Sequence, residues 1–442
     1  MLLLPAFASV ARAQGQERPF VEEEKRKELE AERYRPEPLQ EFVYDFGAWY
    51  HFEFLSFDDA PKPDDRTLWF HDLRLWGAVT YHQWLTAFAR VKNQYLDWDH
   101  GDQFGFHNNA WKPARLDQGY IEARFEPATV RGGRQFQSLG LGTVYNAVAD
   151  GLTAEGQAGK FDYKGFSLFS VHSANDIDSS RPEAGHSDRW HTGLEGGWQG
   201  LPGNRLYALA LFQFDFNGDN QPGQNFDYNS QYWGVGIKGS DLKHLEHFFE
   251  AVYETGRSAG TGSTQTEAIS AWSLRAGLNW TPPAGDFRPA LFAEYMFGSG
   301  DADRASPTST VGGNRAGTID TSFAPFGFVQ TGYSLFPKLS NLHVIRAGGE
   351  FTPFPMLYYA DTLHFGAAGY VYMKDKAAAG ISDGRASGNS ADVGQAIDVW
   401  LNWRVLEDVA FNVRYGVFFP GAAYPTVNDP QHFVSAGMTL VF

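Results

Sequence analysis

Cysteine is absent from the 442 residues, so no disulfide bridge contributes to the fold. There is also no run of about 18 apolar residues that could form a transmembrane helix. Positive charge is scarce, because 36 Lys and Arg residues stand against 52 Asp and Glu residues, giving a formal net charge of −16. This balance argues against nucleic acid as a partner. The mean hydropathy is negative although 16% of the residues are aromatic, a combination that alternating strands produce.

The first 40 residues differ from the rest of the sequence. Residues 2–10 are a short apolar run that Ala11-Arg12-Ala13 follows, which is typical of a signal peptide spanning residues 1–13. The basic residues that normally precede such a run are absent, so we expect a truncated signal peptide; a buried N-terminal segment is the alternative. Residues 14–40 form a densely charged leader, which we expect to be helical or disordered. This leader would suit a contact with a periplasmic export partner.

Residues 41–442 show period-two alternation in one segment after another. In the last segment Val434, Ala436, Met438, Leu440 and Phe442 are apolar, and most residues between them are small or polar. This pattern indicates a strand with one apolar face. We predict about 18 such strands, and an even number suits a single-chain bacterial barrel. They span residues 42–56, 67–80, 83–96, 116–126, 128–137, 143–154, 160–173, 188–199, 204–217, 227–239, 245–257, 268–281, 287–298, 342–352, 361–373, 392–404, 408–419 and 432–442.

The connections between the predicted strands alternate in length. Short turns such as residues 81–82 and 126–128 are followed by longer polar connections such as residues 97–115 and 300–341. A membrane barrel produces this pattern, with short periplasmic turns and long extracellular loops. A soluble β-sandwich, the alternative, has no reason to sort its connections in this way. We therefore predict an all-β fold, a transmembrane antiparallel β-barrel in the outer membrane of a Gram-negative cell.

The two faces of the predicted strands fit this barrel. Apolar members such as Trp272 and Leu278 would face lipid, and charged members would face a wet lumen, because a charge facing lipid at the bilayer midplane costs about 2–4 kcal/mol. We expect the last strand to pair with the first strand and close the barrel. Phe442 would then lie at the periplasmic rim, where the barrel assembly machinery could read it. The long connection at residues 300–341 would cover or constrict the mouth.

Basic residues on the inward faces are the candidates for lining a pore. An anion-conducting channel needs cations from several strands, and arginine suits this role because it stays charged and binds carboxylates through two hydrogen bonds. The alternation gives nine candidates: Arg74, Arg90, Lys92, Arg124, Arg134, Arg275, Arg346, Arg404 and Arg414.

Each of these residues could instead pair with an inward carboxylate. The acidic candidates are nearly as numerous: Asp72, Glu122, Glu246, Glu250, Glu254, Glu294, Glu350 and Asp398. The pairs that the sequence suggests are Asp72 with Arg74, Glu122 with Arg124, Glu350 with Arg346, and Asp398 with Arg404.

Four short stretches carry a family resemblance. They are residues 391–399 (ADVGQAIDV), residues 415–421 (YGVFFPG), residues 294–301 (EYMFGSGD) and residues 131–135 (RGGRQ). Together they are similar to the alginate export family, the AlgE-like outer-membrane β-barrel proteins. The resemblance implies an 18-stranded barrel that passes an anionic exopolysaccharide across the outer membrane through an arginine-lined constriction. Arg134 is similar in position to the arginine of that family's Gly-Arg-Gln motif.

The sequence leaves other functions open. A lumen of mixed charge would also suit a porin for small polar or anionic solutes, and an outer-membrane hydrolase is the alternative of a different class. No nucleophile elbow or glycine-rich phosphate loop is present, so we expect neither enzyme activity nor a cofactor. Asp301, Asp303 and Asp320 could bind calcium in the long loop, although a solvated loop is the simpler interpretation. We expect a monomer in contact with outer-membrane lipid.

Overall fold

The computed structural model describes residues 41–58, 65–100, 108–170, 188–216, 228–242, 244–261, 266–283, 287–304, 307 and 314–442. In these ranges the chain forms strands, and no helix long and apolar enough to cross a membrane occurs there. The predicted signal peptide and charged leader lie outside the described residues. The strands are β1 (Phe42–Asp58), β2 (Arg66–Tyr81), β3 (Leu85–His100), β4 (Asn108–Phe125), β5 (Ala128–Leu139), β6 (Tyr145–Ala158), β7 (Phe161–Ser170), β8 (Arg189–Trp198), β9 (Asn204–Asp215), β10 (Tyr228–Leu242), β11 (Leu245–Thr261), β12 (Thr266–Trp280), β13 (Ala290–Gly298), β14 (Asn314–Arg315), β15 (Leu342–Phe351), β16 (Leu363–Met373), β17 (Asp392–Leu406), β18 (Val409–Pro420) and β19 (Gln431–Val441).

Eighteen of these strands form one closed antiparallel barrel, which confirms the predicted fold class. Each barrel strand pairs with the barrel strands before and after it in the chain, and β1 pairs with both β2 and β19. β14 has two residues and pairs in parallel with the end of β11. The predicted closure by the last strand is confirmed: the Phe442 N–H donates to the Ala48 carbonyl at 2.8 Å, and the Ala48 N–H donates back at 3.0 Å.

Alternating burial separates the inner face of the barrel from the outer face. In β2, Asp72 and Arg74 are buried, whereas Leu73 and Leu75 are exposed. In β12, Trp272 and Leu278 are exposed as predicted. Exposed apolar residues on strand after strand form the band that a membrane barrel presents to lipid.

The connections lie at two rims. One rim carries mostly short turns, such as residues 126–127 and 407–408, and we call it the short-turn rim. The other carries most of the long connections, such as residues 299–341, and we call it the long-loop rim. Three connections break this pattern, including the four residues between β11 and β12 at the long-loop rim. Residues 140–144 are short although they lie at the long-loop rim, and residues 352–362 are the longest connection at the short-turn rim.

Two connections from the long-loop rim fold into the barrel. Residues 140–144, the inner segment, contact the wall where the Leu141 N–H donates to Glu250 at 2.8 Å. Residues 299–341, the belt loop, lie against several strands and reach the inner segment, where the Gly327 N–H donates to the Thr143 carbonyl at 3.2 Å. The described part of the long loop therefore occupies the lumen.

The hydrophobic core lies between the barrel wall and connections of the long-loop rim, with the belt loop in two of its clusters. Phe323 and Ala324 of the belt loop pack in one buried cluster with residues of β6 to β12. Leu335 and Leu339 of the same loop pack in a second cluster with Tyr370 and other residues of β16 to β18. The belt loop is thus built into the core.

One strand boundary differs from the prediction in a way that affects the site. β4 begins at Asn108 rather than at residue 116, because its pairing with β3 continues through Lys112 and Trp111. Arg115, which the sequence placed in a loop, therefore belongs to the barrel wall.

Candidate pore-lining site

A bulge in β4 turns Asp117 toward the lumen. Arg90 pairs with Gln118 and Val91 pairs with Leu116, so Asp117 is one extra residue in β4. Such a bulge redirects a side chain. Strict alternation with the buried Gln118 would place Asp117 on the outer face, yet Asp117 is only 6% exposed.

Three basic side chains from the two preceding strands surround the carboxylate of Asp117. Arg90 Nε donates to Asp117 Oδ2 at 2.7 Å, and Lys92 Nζ lies 2.8 Å from Oδ1. Arg74 Nη1 lies 3.7 Å from Oδ2. Three of the nine predicted pore-lining residues therefore meet at one carboxylate that strict alternation would place on the other face.

Arg115 and Asp72 extend this group. Arg115 Nη2 donates to Gln94 Oε1 at 3.2 Å, and Gln94 Nε2 donates to Asp72 Oδ2 at 3.1 Å. Arg74 Nη2 donates to the same oxygen of Asp72 at 2.8 Å, as the sequence suggested. These contacts define the basic cluster: Arg74, Arg90, Lys92 and Arg115.

The basic cluster brings four positive charges together on one stretch of the barrel wall. Among the described residues, its four cations lie beside the two carboxylates of Asp72 and Asp117. The Lys92 and Arg90 side chains are 21% and 15% exposed, whereas Asp117 is 5% exposed. Lumen water therefore reaches the cations more readily than the carboxylate. Arg74 also lies over Trp49, with its Cζ atom 4.5 Å from the ring centroid, a contact that favours the guanidinium charge.

Glu294 binds two more of the predicted residues. Arg275 Nη2 lies 2.7 Å from Glu294 Oε1, and Arg346 Nη2 lies 2.6 Å from Oε2. The predicted pair of Glu350 with Arg346 was wrong, because Glu294 lies directly opposite Arg346 across β13 and β15. Glu350 instead accepts a hydrogen bond from Trp400 Nε1 at 3.4 Å.

Glu122 also binds two arginines. Arg124 Nη2 lies 2.8 Å from Glu122, as predicted, and Arg131 Nη2 lies 2.5 Å from its other oxygen. Arg131 Cζ lies 4.7 Å from the ring centroid of Tyr120. The sequence interpretation chose Arg134 from this stretch, and so it missed Arg131.

Arg134 lies with the outer-face residues. It pairs in register with Gly119 and with Asp150, whose carboxylate is 2.8 Å from Arg134 Nη2. Its neighbour Gln135 is fully buried, so the alternation places Arg134 on the opposite side of the wall. This position departs from the predicted lumen position.

Arg404 and Arg414 follow the inward alternation of β17 and β18. Arg414 lies beneath the belt loop, with its Cζ atom 5.5 Å from the ring centroid of Tyr333. Arg404 lies beside the short-turn rim. The predicted pair of Asp398 with Arg404 was wrong, because Asp398 accepts a hydrogen bond from the Tyr333 N–H at 3.0 Å.

Three acidic residues that were predicted to lie in the lumen accept hydrogen bonds from backbone N–H groups of the two interior connections. Glu254 accepts a hydrogen bond from the Ala324 N–H at 2.9 Å, and its other oxygen accepts from two tyrosine hydroxyls. Glu250 likewise accepts a hydrogen bond from the Leu141 N–H, and Asp398 accepts one from the Tyr333 N–H. All three carboxylates are at most 1% exposed. They therefore contribute little negative charge to the water in the lumen.

The three aspartates that could bind calcium, Asp301, Asp303 and Asp320, make hydrogen bonds or ion pairs within the belt loop. Asp301 accepts hydrogen bonds from the N–H groups of Asp303 and Thr321, each at 2.8 Å, and Asp320 pairs with Arg304. Burial alone would lower the pKa of Arg304, but Asp320 and its acidic neighbours raise it. Among the described residues no group of side chains has the arrangement of a metal site.

The fold is similar to solved barrels of low sequence identity. OccK8 (OprE) of Pseudomonas aeruginosa matches with a TM-score of 0.60 and 9% identity, over 90% of this chain and 98% of its own. OccAB2 of Acinetobacter baumannii matches with a TM-score of 0.57 and 11% identity, over 91% and 99%. OccK11 (OpdR) of Pseudomonas aeruginosa matches with a TM-score of 0.56 and 12% identity, over 90% and 96%. At these identities the likeness establishes the fold alone.

A search of curated protein sequences finds no match. The model of the family described as alginate export matches residues 45–432, which is most of the chain. This match confirms the resemblance that the short sequence stretches carry. The chain belongs to the alginate export family, and it is a channel-forming β-barrel of the bacterial outer membrane, with its short-turn rim toward the periplasm and its long-loop rim toward the outside.

Proposed function

We propose that this barrel exports an anionic, alginate-like exopolysaccharide by passive diffusion, with the basic cluster as the site that draws the polymer into the lumen. The observation that carries the proposal is the convergence of four basic side chains on one stretch of wall, with Lys92 and Arg90 more exposed than the carboxylate between them. Export of this cargo also fits the description of the family.

The arrangement suits a site that binds weakly and releases its cargo. Arg90 already donates a hydrogen bond to Asp117, and Lys92 already forms an ion pair with it. A carboxylate of a passing uronate would compete with Asp117 for these donors, so the net gain on binding is small. Conduction requires this balance, because a site that binds strongly would block the channel. The cations would exchange one carboxylate for the next as the polymer advances.

A porin for small polar or anionic solutes is the second candidate, and the belt loop is the observation that favours it. The loop is fixed inside the lumen by Glu254 and Asp398, at 2.9 and 3.0 Å from backbone nitrogens. A fixed loop narrows the path, which suits small solutes as well as an extended chain.

The first experiment measures ion selectivity in planar bilayers. Arg90→Gln with Lys92→Gln should lower the anion-to-cation permeability ratio at about 0.1 M salt, where the Debye length is about 10 Å. Arg257→Gln, which removes an exposed cation near the long-loop rim, is the matched control and should leave the ratio unchanged. A wild-type channel that prefers cations would contradict the role of the basic cluster.

The second experiment separates the two cargoes. Oligomers of a uronic acid, added to the periplasmic side, should interrupt the single-channel current more often than neutral glucose oligomers of equal length. The double variant should lose this difference. Equal interruption by both oligomers, with selectivity for small anions retained, would support the porin instead.

A further inference from the structure

The connection between β15 and β16 differs in composition from the other turns of the periplasmic rim. Residues 351–360 read Phe-Thr-Pro-Phe-Pro-Met-Leu-Tyr-Tyr-Ala and contain no charged residue. Other turns at this rim are polar or charged, such as Glu126-Pro127 and Glu407-Asp408. We call residues 353–360 the apolar turn.

The apolar turn exposes most of its large side chains. Tyr358 and Met356 are 85% and 84% exposed, and Tyr359, Leu357 and Phe354 are each more than half exposed. Single exposed apolar residues are ordinary, but a contiguous group usually marks a contact with a membrane or a protein. The group also borders an open cavity of about 330 Å³ that Phe287 lines from the neighbouring connection.

The turn leans over the outer face of the barrel. The indole Nε1 of Trp403, an outward side chain of β17, donates a hydrogen bond to the Tyr359 carbonyl at 2.7 Å. On the same face Phe351 packs edge-to-face against Phe287 and Phe365, with ring centroids 6.5 and 5.6 Å apart. The apolar turn is therefore continuous with the band of side chains that contacts lipid.

Part of the backbone of the turn makes internal hydrogen bonds. The Leu357 N–H donates to the Phe354 carbonyl at 3.1 Å, and the N–H groups of Ala360 and Asp361 donate to the Leu357 carbonyl at 2.8 and 2.9 Å. Two further residues, Pro353 and Pro355, have no backbone N–H to satisfy.

We infer that the apolar turn inserts into the periplasmic leaflet of the outer membrane, where its occupant is phospholipid. Tyrosine suits this position because its ring is apolar and its hydroxyl reaches the headgroups. The continuity with Phe351 and Phe365 favours lipid over a soluble partner, because the surface starts within the membrane band. The turn would fix the depth of β15 and β16 in the bilayer, independently of the cargo.

The absence of cysteine makes a direct test available. Met356→Cys and Tyr358→Cys, each labelled with an environment-sensitive fluorophore in the folded barrel, are reconstituted in phosphatidylethanolamine and phosphatidylglycerol vesicles. Leu201→Cys, on another periplasmic turn and 44% exposed, is the matched control. Both substituted positions of the apolar turn are highly exposed, so folding should be unaffected, and heat-modifiable migration on gels checks this.

The labels at positions 356 and 358 should emit at shorter wavelength than the label at 201. They should be quenched by lipids that carry a nitroxide near the headgroup, and they should be protected from iodide present on both sides of the vesicle. Iodide access equal to that at position 201 would overturn the inference. Shielding that appears only at high protein-to-lipid ratio, with cross-linking between two copies, would also overturn it, because the occupant would then be a second barrel.

Discussion

At the scale of single residues, Asp117 determines how the basic cluster is held. Four cations within one stretch of wall repel one another, and a single carboxylate among them reduces that repulsion. Because Asp117 lies in a bulge, it contacts Arg90 and Lys92 without occupying a regular inward position. The bulge therefore adds a carboxylate to the lumen face without replacing a residue at a regular inward position of β4.

Arg131 and Arg134 offer a matched pair of substitutions. Arg131 contacts Glu122 on the inner face, whereas Arg134 contacts Asp150 on the outer face. We predict that Arg131→Gln lowers the anion-to-cation permeability ratio by about two- to fivefold, since a unit charge about 4 Å away contributes about 1 kcal/mol even in water. Arg134→Gln should change it much less, and reversal potentials in a salt gradient measure both. A larger effect of Arg134→Gln would contradict the assigned faces.

Alternation was sufficient to predict the inward position of most of the basic residues, because it depends only on local geometry. It failed at Asp117, where the bulge inserts one residue, and at Arg134, which was counted by alternation among the nine lumen candidates. Counting back from the buried Gln137 and Gln135 would have indicated Arg131 instead. The partner of Arg346 could not be predicted from the sequence either, because it depends on the register between β13 and β15.

At the scale of elements, the inner segment and the belt loop support each other inside the lumen. Lys238 Nζ donates to the Gly140 carbonyl at 2.9 Å, and Arg275 Nη1 donates to the Leu141 carbonyl at 3.0 Å. The opposite side of the segment contacts the belt loop through Gly327 and Phe328. The wall thus holds the inner segment, and the inner segment helps to hold the belt loop.

Gly327 is the position where this support can be removed. A Cβ atom there would lie 1.8 Å from the Gly142 carbonyl oxygen, so Gly327→Ala should separate the two connections. We predict a larger single-channel conductance and more open-channel noise, because the belt loop loses a fixed contact. Gly384→Ala is the control, since its Cβ would meet no atom within 4 Å. Unchanged conductance and noise in Gly327→Ala would mean that the acidic anchors alone fix the belt loop.

The strands could be predicted from the sequence, and the interior connections could not. Alternating segments and their spacing are local signals, and they gave the strand number and the closing pair. The carboxylates that fix the belt loop bind backbone N–H groups, which every residue other than proline possesses. No side-chain pattern in the sequence therefore indicates these contacts. For that reason Glu250, Glu254 and Asp398 were taken for charges in the water path.

At the scale of the whole molecule, the seam between β1 and β19 completes the barrel. Phe442 exchanges two backbone hydrogen bonds with Ala48, and its own side chain is 71% exposed at the rim. A Cβ atom at Gly47 would lie 2.5 Å from the Phe442 carbonyl oxygen, so the backbones approach closely there. The end of β19 is therefore both a structural contact and an accessible aromatic residue.

Removal of Phe442 should impair assembly more than conduction. We predict a severalfold lower yield of folded barrel in outer membranes, because the deletion removes two seam hydrogen bonds and also the aromatic residue that we propose the assembly machinery recognises. The barrels that do fold should keep the wild-type conductance, since the deletion removes no side chain of the basic cluster. Phe442→Tyr serves as the control and should assemble normally, with the folded fraction measured by heat-modifiable migration. Normal yield after the deletion would exclude a role for Phe442 in recognition.

The seam also has a consequence for the order of events in biogenesis. It joins His51 to Thr439, which are 388 positions apart in the chain. Closing a long loop costs only a little more entropy than closing a short one, so this distance is not the main obstacle. The obstacle is that β1 keeps one unpaired edge until β19 has been synthesised, and unpaired edges are not tolerated in lipid. Translation that stops before β19 would therefore yield no partly inserted channel, and the cell must keep the nascent chain soluble until its last strand is available.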